Sequence, residues 1–353
     1  MTHTTDVLDA LDRRILDQLQ QAVPLTPRPF DALAQQVGID PHDCLARVRA
    51  LRGPKKVIRQ MSAIFDTSAL GYESSLVAAK IAPDHLEEAA QIISGHPGVS
   101  HNYQREHAFN LWYTVAVPPG SRFGLQGTLD KLHEISGAIS TRALPTLRLF
   151  KIGVRLDMGD DARDQSAENA PKKSGFNEED RAIARQYTLS DADRRMVKVL
   201  QQDLPIEPEP FAWWAEEAGC TVDELLAAAE RYIEHRQMRR FAAVLHHRTA
   251  GMRANVMGVW SVAPEVAEEY GPRLAQFDAV SHCYLRPRYD DWPYNLYTMI
   301  HARDRDQALI TLEKMQEATG IEDYRGLWTV REFKKVRLRY FTDEIPQWES
   351  QHA

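Results

Sequence analysis

The chain has 353 residues, 43% of them hydrophobic and 26% charged, with a formal net charge of −7 at pH 7. These values predict a globular protein of about two or more domains, and the acidic balance argues against nucleic-acid binding, which needs a basic face. No apolar run is long enough to cross a bilayer, and no secretory signal precedes the first amphipathic segment. Three scattered cysteines (Cys44, Cys220 and Cys283) fit a reducing cytoplasm and argue against a disulfide framework or a cysteine metal site.

Residues 6–65 are predicted to form a winged helix-turn-helix. Apolar residues at helical spacing predict a first helix near residues 9–19. A second helix ends at Gly38, and Asp40-Pro41 is typical of the cap and first residue of a third. The stretch 57–65 that follows is typical of a strand and supplies the wing.

Residues 66–158 change to a mixed period of strands and helices. Strands are predicted at 75–81, 99–103, 111–117 and 144–154, with helices at 83–95 and 127–136. The order β-α-β-β-α-β is the ferredoxin-like split pattern, an antiparallel sheet with helices on one face. The predicted fold class is therefore α+β, built from a winged helix-turn-helix and a ferredoxin-like βαββαβ domain.

The whole unit then recurs. Residues 159–188 are polar and lack periodicity, which predicts a mostly disordered linker. Beyond it, Asp193 repeats Asp12 and His282 repeats His101, both at an offset of 193 − 12 = 181. Residues 189–245 are the second helix-turn-helix and 246–345 the second βαββαβ domain. We expect the two βαββαβ domains to pair within the chain as a pseudo-dimer.

One polar stretch appears in both copies, as Ser100–Trp112 and Ser281–Tyr297. Since residues two apart in a strand share a face, the alternation predicts one proton-active face in each copy. This face is either a binding or catalytic surface or a solvated outer face. Its members are His101, Tyr103, Arg105 and His107 in the first copy and His282, Tyr284 and Arg286 in the second.

The second copy gains four residues after Arg286, because Asn295 lies 185 positions after Asn110. The added segment runs from Arg288 to Pro293 and is rich in aromatic and turn-forming residues. An insertion beside a binding strand is often a functional loop, and the alternative is a neutral surface insertion.

A winged helix joined to a βαββαβ domain resembles the Lrp/AsnC regulators. Within that group, the stretches Arg105–Trp112 and Ser281–His301 resemble the siroheme decarboxylases. Leu245–Trp260 is similar to that family's B/L-type subunit, and the first half is similar to the A/D type. The resemblance implies a fused enzyme that removes carbon dioxide from two acetate side chains of siroheme, in heme d1 or heme b biosynthesis.

The resemblance also implies the partners of the chain. Siroheme is the substrate, its iron enters with it, and no separate cofactor or protein metal site is expected. Partner decarboxylase subunits of the G/H type and a homo-oligomer are left open. No membrane and no DNA role are expected, and the location is the cytoplasm.

Decarboxylation needs a positioned acid near neutral pH, and histidine suits that task. The catalytic candidates are His101, His107, His247 and His282, none of them assigned as proton donor or iron contact. Arginine binds carboxylates in a bidentate fork, and aromatic rings stack on a macrocycle. Asn110 and Asn295 either bond a propionate or fix a turn. The substrate-binding candidates are Tyr103, Arg105, Asn110, Trp112, His246, Arg248, Tyr284, Arg286, Arg288, Tyr289, Trp292 and Asn295, with Tyr289 and Trp292 favoured as ring contacts.

Two other functions compete with this one. A tetrapyrrole- or amino-acid-responsive regulator is supported by the helix-turn-helix, whose first recognition helix carries Arg47, Arg49 and Arg52. The equivalent second helix is acidic, and two unlike helices could not read a palindrome as a two-fold dimer does. A tetrapyrrole carrier without catalysis is the other alternative, and only turnover separates it from the enzyme.

Overall fold

The computed structural model describes residues 8–152, 178–246 and 254–353. No helix within these ranges has the length and apolar character needed to cross a membrane. The helices are α1 Ala10–Gln21, α2 Pro29–Val37, α3 Pro41–Arg52, α4 Leu86–Gly95, α5 Gly124–Ser136, α6 Glu178–Ala184, α7 Asp191–Leu200, α8 Ala212–Ala218, α9 Val222–Glu234, α10 Ala267–Ala275, α11 Arg305–Thr319 and α12 Glu344–Gln351. The strands are β1 Ile58–Phe65, β2 Glu73–Lys80, β3 Val99–Arg105, β4 Leu111–Val117, β5 Ser140–Leu144, β6 Arg148–Ile152, β7 Met238–Leu245, β8 Ala254–Trp260, β9 Val280–Leu285, β10 Leu296–Ala302 and β11 Tyr324–Lys335.

The described residues divide into two compact units. The first unit contains the helix-turn-helix domains of both halves, and the helix start and end predicted from the sequence are observed there. Asp40 accepts hydrogen bonds from the first turn of α3, and Gly38 ends α2 in the left-handed region at φ 74°. Strand β1 pairs antiparallel with β7, so each predicted wing strand pairs with the wing strand of the other half.

Two predictions need correction. Part of the segment 159–188 is ordered, because Glu178–Ala184 forms helix α6, while residues 159–177 lie outside the described residues. The last strand predicted at 144–154 is two short strands, β5 and β6, separated at Pro145. Proline lacks the N–H that a continuous strand needs for pairing on both sides, which accounts for a break at this place.

The second unit contains both βαββαβ domains in one nine-stranded sheet. The strand order is β5-β2-β4-β3-β11-β8-β10-β9-β6. Each half contributes four neighbouring strands in the ferredoxin-like order, with all pairs antiparallel. The predicted fold class is confirmed.

The two halves are joined by exchange of their last strands. The first part of β11 pairs with β8 of its own half, and the second part pairs with β3 of the first half. In the same way β5 pairs with β2, and β6 crosses to pair with β9. The predicted pairing of the two βαββαβ domains within the chain is therefore confirmed.

Three apolar clusters hold this unit together. One lies under the helices of each half, with members such as Ile93 and Leu132 in the first and Leu274 and Leu312 in the second. The third is formed on the sheet faces opposite the helices. Its buried members come from both halves and are Ala78, Phe109, Trp112, Leu144, Met257, Val259, Trp292, Tyr294, Tyr297 and Leu327.

Candidate active site

Strand β3 presents His101, Tyr103 and Arg105 on the sheet face away from the helices. The Asn102 side chain points to the helix side, where its Nδ2 donates to the carbonyl of Ala90 on α4, 3.1 Å away. The residues on either side of Asn102 point the other way. The rings of His101 and Tyr103 lie 6.0 Å apart, and the Arg105 guanidinium lies 5.5 Å from the Tyr103 ring. The alternation predicted for His101, Tyr103 and Arg105 is confirmed, whereas His107, predicted on the same strand face, lies beyond the end of the strand.

Strand β9 repeats the arrangement. Cys283 is buried under α10, where its thiol donates to the carbonyl of Gly271 at 3.5 Å. His282 and Tyr284 stack on the opposite face with centroids 6.0 Å apart, and the Arg286 guanidinium lies 4.7 Å from the Tyr284 ring. Each half therefore carries one His, Tyr and Arg set on equivalent faces.

Both arginines are buried, so the alternative of a wet outer face is wrong. Arg105 is 5% exposed and Arg286 is 9% exposed. Arg105 donates through Nη1 to the carbonyl of Leu327 and to the Thr329 hydroxyl, at 3.0 and 2.8 Å. Arg286 donates through Nη1 to the carbonyl of Leu144. Each guanidinium thus bonds a strand from the other half.

Neither arginine is neutralised by an acid. Within the described ranges no carboxylate forms an ion pair with Arg105 or Arg286, and the Nε of each has no hydrogen-bond partner. Burial lowers the pKa of Arg105 to about 10 and also lowers that of Arg286. Both groups still carry their charge at neutral pH, so each half holds a buried cation with donor capacity to spare.

His101 is held by hydroxyl groups. Its Nδ1 lies 3.0 Å from the Ser100 hydroxyl and 3.4 Å from that of Thr114. Burial lowers the pKa of His101, and the nearby Lys335 ammonium lowers it further. Burial also raises the pKa of Tyr103 to about 12, with a smaller contribution from Glu332.

His107 lies in the loop after β3, beside the insertion of the second half. Its Nδ1 accepts the backbone N–H of Phe109 at 3.0 Å, so the neutral ring carries its proton on Nε2. The ring packs edge-on against Trp292 with centroids 5.2 Å apart. Burial lowers the pKa of His107, and Arg325 of the second half adds to this effect.

The aromatic residues of the insertion are mostly enclosed by protein. Trp292 is 1% exposed, contacts Trp112 edge-on, and donates from Nε1 to the Tyr297 hydroxyl at 2.6 Å. Half-buried Tyr289 donates to the carbonyl of Ala143, and the Arg142 guanidinium lies 5.3 Å from its ring. Trp112 and Trp292 are both buried and expose no ring face on which a macrocycle could stack. Their role as ring contacts stays a prediction.

Three other polar candidates bond the backbone. Asn110 accepts from the N–H of Ile81 and donates to its carbonyl, at 3.0 and 2.8 Å. Asn295 makes the same pair of bonds to Val262, at 3.0 Å each. Arg288 also donates to the carbonyl of Val262. The structure therefore favours the turn-fixing role for both asparagines.

Three predicted residues remain, of which one belongs to the other unit and two are not described. His246 is exposed, belongs to the helix-turn-helix unit, and donates its backbone N–H to the carbonyl of Val57. His247 and Arg248, which were predicted as catalytic and substrate-binding, lie outside the described residues.

Sequence reasoning missed His301 of β10. Its Nε2 lies 2.9 Å from the Ser281 hydroxyl, which is also 2.8 Å from Nδ1 of His282. Burial lowers the pKa of His301, and Lys335, which acts on His101 as well, lowers it further. The available signal was its place at the end of the motif Ser281–His301, on the strand that follows the insertion.

Comparisons with known proteins agree with this architecture. The profile of the AsnC-like ligand binding domain matches residues 69–151 and 249–334, and that of the siroheme decarboxylase NirDL-like HTH domain matches 12–59 and 193–239. Over 335 residues the chain is 36% identical to a siroheme decarboxylase of Hydrogenobacter thermophilus, covering 95% of this chain and 96% of that protein. The chain belongs to the siroheme decarboxylase family.

Two further relatives show how this family is built. A crystal structure of the siroheme decarboxylase NirDL in co-complex with an iron-uroporphyrin III analogue matches with a TM-score of 0.78 and 30% identity, over 97% of this chain and 98% of that one. The siroheme decarboxylase alpha subunit of Desulfovibrio desulfuricans is 39% identical over 155 residues, which is 44% of this chain and 87% of that protein. One such subunit therefore corresponds to about half of this chain.

Three arginines of the first helix-turn-helix form hydrogen bonds or ion pairs within the protein. On α3, Arg47 bonds the carboxylates of Asp9 and Asp12, at 2.8 and 3.0 Å. Arg49 donates to the carbonyl of Ile206, and Arg52 pairs with Asp203. The three arginines that favoured a regulator are thus paired within the protein, which weakens the case for contacts with DNA phosphates.

Proposed function

We propose that this chain is a carboxy-lyase that converts siroheme to didecarboxysiroheme by removing carbon dioxide from two acetate side chains. The observation that carries the proposal is the pair of buried arginines, each beside a His and Tyr on one sheet face and without an acidic partner among the described residues. Siroheme has eight carboxylates, and a buried guanidinium with an unpaired N–H is suited to bind one of them.

The chemical difficulty is the electron pair that remains when the carboxylate leaves as carbon dioxide. Protonation of the pyrrole ring beside the acetate creates an electron sink, and the methylene carbon is protonated afterwards to give a methyl group. His107 suits the acid role, because its bond to the Phe109 N–H keeps its proton on Nε2. Its lowered pKa rises when substrate carboxylates arrive, since an opposite charge favours the protonated ring.

The arginines serve binding more than bond breaking. A non-reacting carboxylate is clamped, whereas the reacting one must be less well stabilised, because it loses its charge in the transition state. Arg105 and Arg286 each bond a strand of the other half, so both halves hold the substrate groups in register. We infer one site built by two unlike halves, since His107 has no histidine counterpart in the second half and the insertion has no counterpart in the first.

The remaining assignments complete the proposal. No cofactor is required, because siroheme iron enters with the substrate. The enzyme works in the cytoplasm, in the route to heme d1 or heme b. The regulator is disfavoured, because the arginines of α3 are held by acids and carbonyls within the protein.

The test is anaerobic incubation of the full chain with siroheme, followed by mass analysis of the tetrapyrrole. Loss of two carbon dioxide units is expected, and the double variant Arg105→Met/Arg286→Met should bind and convert far less. Stoichiometric siroheme binding with no mass change would contradict the enzyme and favour the carrier. If conversion needs added G/H-type subunits, the chain is one component of a larger decarboxylase.

A further inference from the structure

The Ser281 hydroxyl makes three polar contacts. It lies 2.8 Å from Nδ1 of His282, 2.9 Å from Nε2 of His301, and 3.2 Å from the carbonyl oxygen of Met299. These groups belong to β9 and the neighbouring β10, which pair antiparallel with Met299 opposite His282. The two imidazoles are therefore joined through one hydroxyl group on two hydrogen-bonded strands.

The donor count on this hydroxyl fixes the proton positions. A hydroxyl donates once and accepts twice, and a carbonyl oxygen only accepts. Ser281 therefore gives its proton to Met299, and both imidazole nitrogens must donate to Ser281. His282 then carries its proton on Nδ1, and the neutral ring has none on Nε2. This state is the reverse of His107, whose neutral ring carries its proton on Nε2.

We propose that His301 is a positioning residue that acts through Ser281 to hold His282, a catalytic candidate, in the Nδ1–H tautomer. This inference rests on the proposed function for its consequence in turnover. It gives the two histidines opposite tautomers, with the proton on Nε2 of His107 and on Nδ1 of His282. The hydrogen-bond chain itself can be tested without turnover.

The equivalent place in the first half lacks this device. Ser100 contacts Nδ1 of His101 and the hydroxyl of Thr114, at 3.0 and 2.8 Å. At the offset of 185, His301 corresponds to Ala116, so no second imidazole is present. A pair of hydroxyls can turn either way, and it leaves the tautomer of His101 unfixed.

The surroundings of His301 suit a neutral donor. His301 is half-buried, and burial together with the Lys335 ammonium opposes a positive charge on the ring. A neutral ring that donates through Nε2 has its other nitrogen unprotonated. His301 thus acts in the way that an outer hydrogen-bond partner sets the tautomer of a functional histidine.

The first experiment reads the tautomer by nitrogen NMR of the substrate-free chain labelled with ¹⁵N-histidine. His282→Gln assigns the His282 signals. We expect the Nδ1–H form in the wild type, loss of that preference in Ser281→Ala and His301→Leu, and its retention in His301→Gln, whose amide can still donate. Thr114→Val, the matched change behind His101, should leave the His282 signals unchanged.

The second experiment measures siroheme decarboxylation by the same variants. His301→Leu should lower kcat by about tenfold or more with a smaller change in KM, and His301→Gln should recover most of it. A wild-type Nε2–H tautomer, or His282 signals unaffected by His301→Leu, would overturn the proposal. A shifted tautomer with unchanged kcat would equally overturn it. The expected tautomers in a chain that decarboxylates nothing would support the hydrogen-bond chain and refute the proposed function.

Discussion

The two copies of the histidine strand have the same faces and different neighbours. In both, His, Tyr and Arg share the sheet face away from the helices, and the arginine bonds a strand of the other half. Behind His101 stand two hydroxyls, whereas behind His282 stand a hydroxyl and a second imidazole. The duplicated halves therefore share the same strand arrangement, and different residues on the adjoining strands give the two histidines different hydrogen-bond partners.

His107 distinguishes the two halves most clearly, because it has no histidine counterpart in the second half, where Arg288 stands. His107→Ala should lower the decarboxylation rate by between about a hundredfold and ten-thousandfold, because a positioned proton donor is lost. His107→Asn is the matched control for the loop, since a short amide can accept the N–H of the residue two positions on.

Both His107 variants should keep macrocycle binding and thermal stability near those of the wild type, and both should lose turnover. Near-normal decarboxylation of both acetates in His107→Asn would show that the acid is another group, with His101 the next candidate. Arg288→Ala should have a smaller effect, because its observed bond is to the carbonyl of Val262.

The paired arginines test whether the two halves contribute equally. Arg105→Met and Arg286→Met keep an apolar stem of similar size and remove the charge. Siroheme affinity should fall by about 2–5 kcal/mol in each, because a buried charged partner is lost. Lysine should substitute poorly at either position, since it lacks the bidentate fork.

Protein stability should respond much less than affinity to these methionine variants. Each arginine is a buried cation with no acidic partner in the part of the chain that the structure describes, and apolar replacement of buried charges is often neutral for folding. Siroheme titration and chemical unfolding measure the two effects. Unchanged affinity in both variants would place the substrate elsewhere, and a large loss of stability with unchanged affinity would make the arginines structural.

A third comparison concerns His96, whose counterpart at offset 181 is Phe277. Burial lowers the pKa of His96 to about 3, and its ring packs against Trp348. The unfolded chain therefore binds this proton more readily than the folded one, and stability falls as the pH drops below the unfolded value of about 6.5.

The free energy of unfolding should fall by about 2 kcal/mol between pH 6.5 and 4.5 on account of His96. His96→Phe should flatten this part of the profile, even if the lost bond to the Gly98 N–H lowers stability at pH 8. Urea unfolding at several pH values measures it. An unchanged slope in His96→Phe would assign the acid sensitivity to other groups.

The smallest expected effect is on DNA binding. The first recognition helix is basic and the second acidic, yet the arginines of the first are bonded within the protein. A gel shift with promoter DNA at physiological salt should show no specific complex. A specific, saturable complex would restore the regulator as a function of this chain.

Local sequence patterns predicted much of the fold and the sheet face on which the candidate site lies. Periodicity, caps and the offset of 181 predicted the helices, the domain order and the shared face of His101, Tyr103 and Arg105. That face follows from strand alternation alone, which is why it could be predicted. The exchange of β6 and β11 between halves could not, because it depends on pairing between residues far apart in the chain.

The positions of site residues could be predicted only where they depend on alternation along a single strand. Asn110 and Asn295 recur in the sequence, but their bonds to Ile81 and Val262 depend on the approach of another strand. Trp292 belongs to an insertion of aromatic and turn-forming residues that could have been a surface loop, yet it is buried because aromatic residues of both halves meet there. His301 gains its partner through pairing of β10 with β9, so no local pattern identified it.

The most direct test of a single site built by two unlike halves is its stoichiometry. Anaerobic titration of the full chain with siroheme, followed by absorbance, counts bound macrocycles per chain. We expect one siroheme per chain, with affinity reduced by removal of either Arg105 or Arg286. Two independent sirohemes per chain, each sensitive to only one of these arginines, would contradict the account.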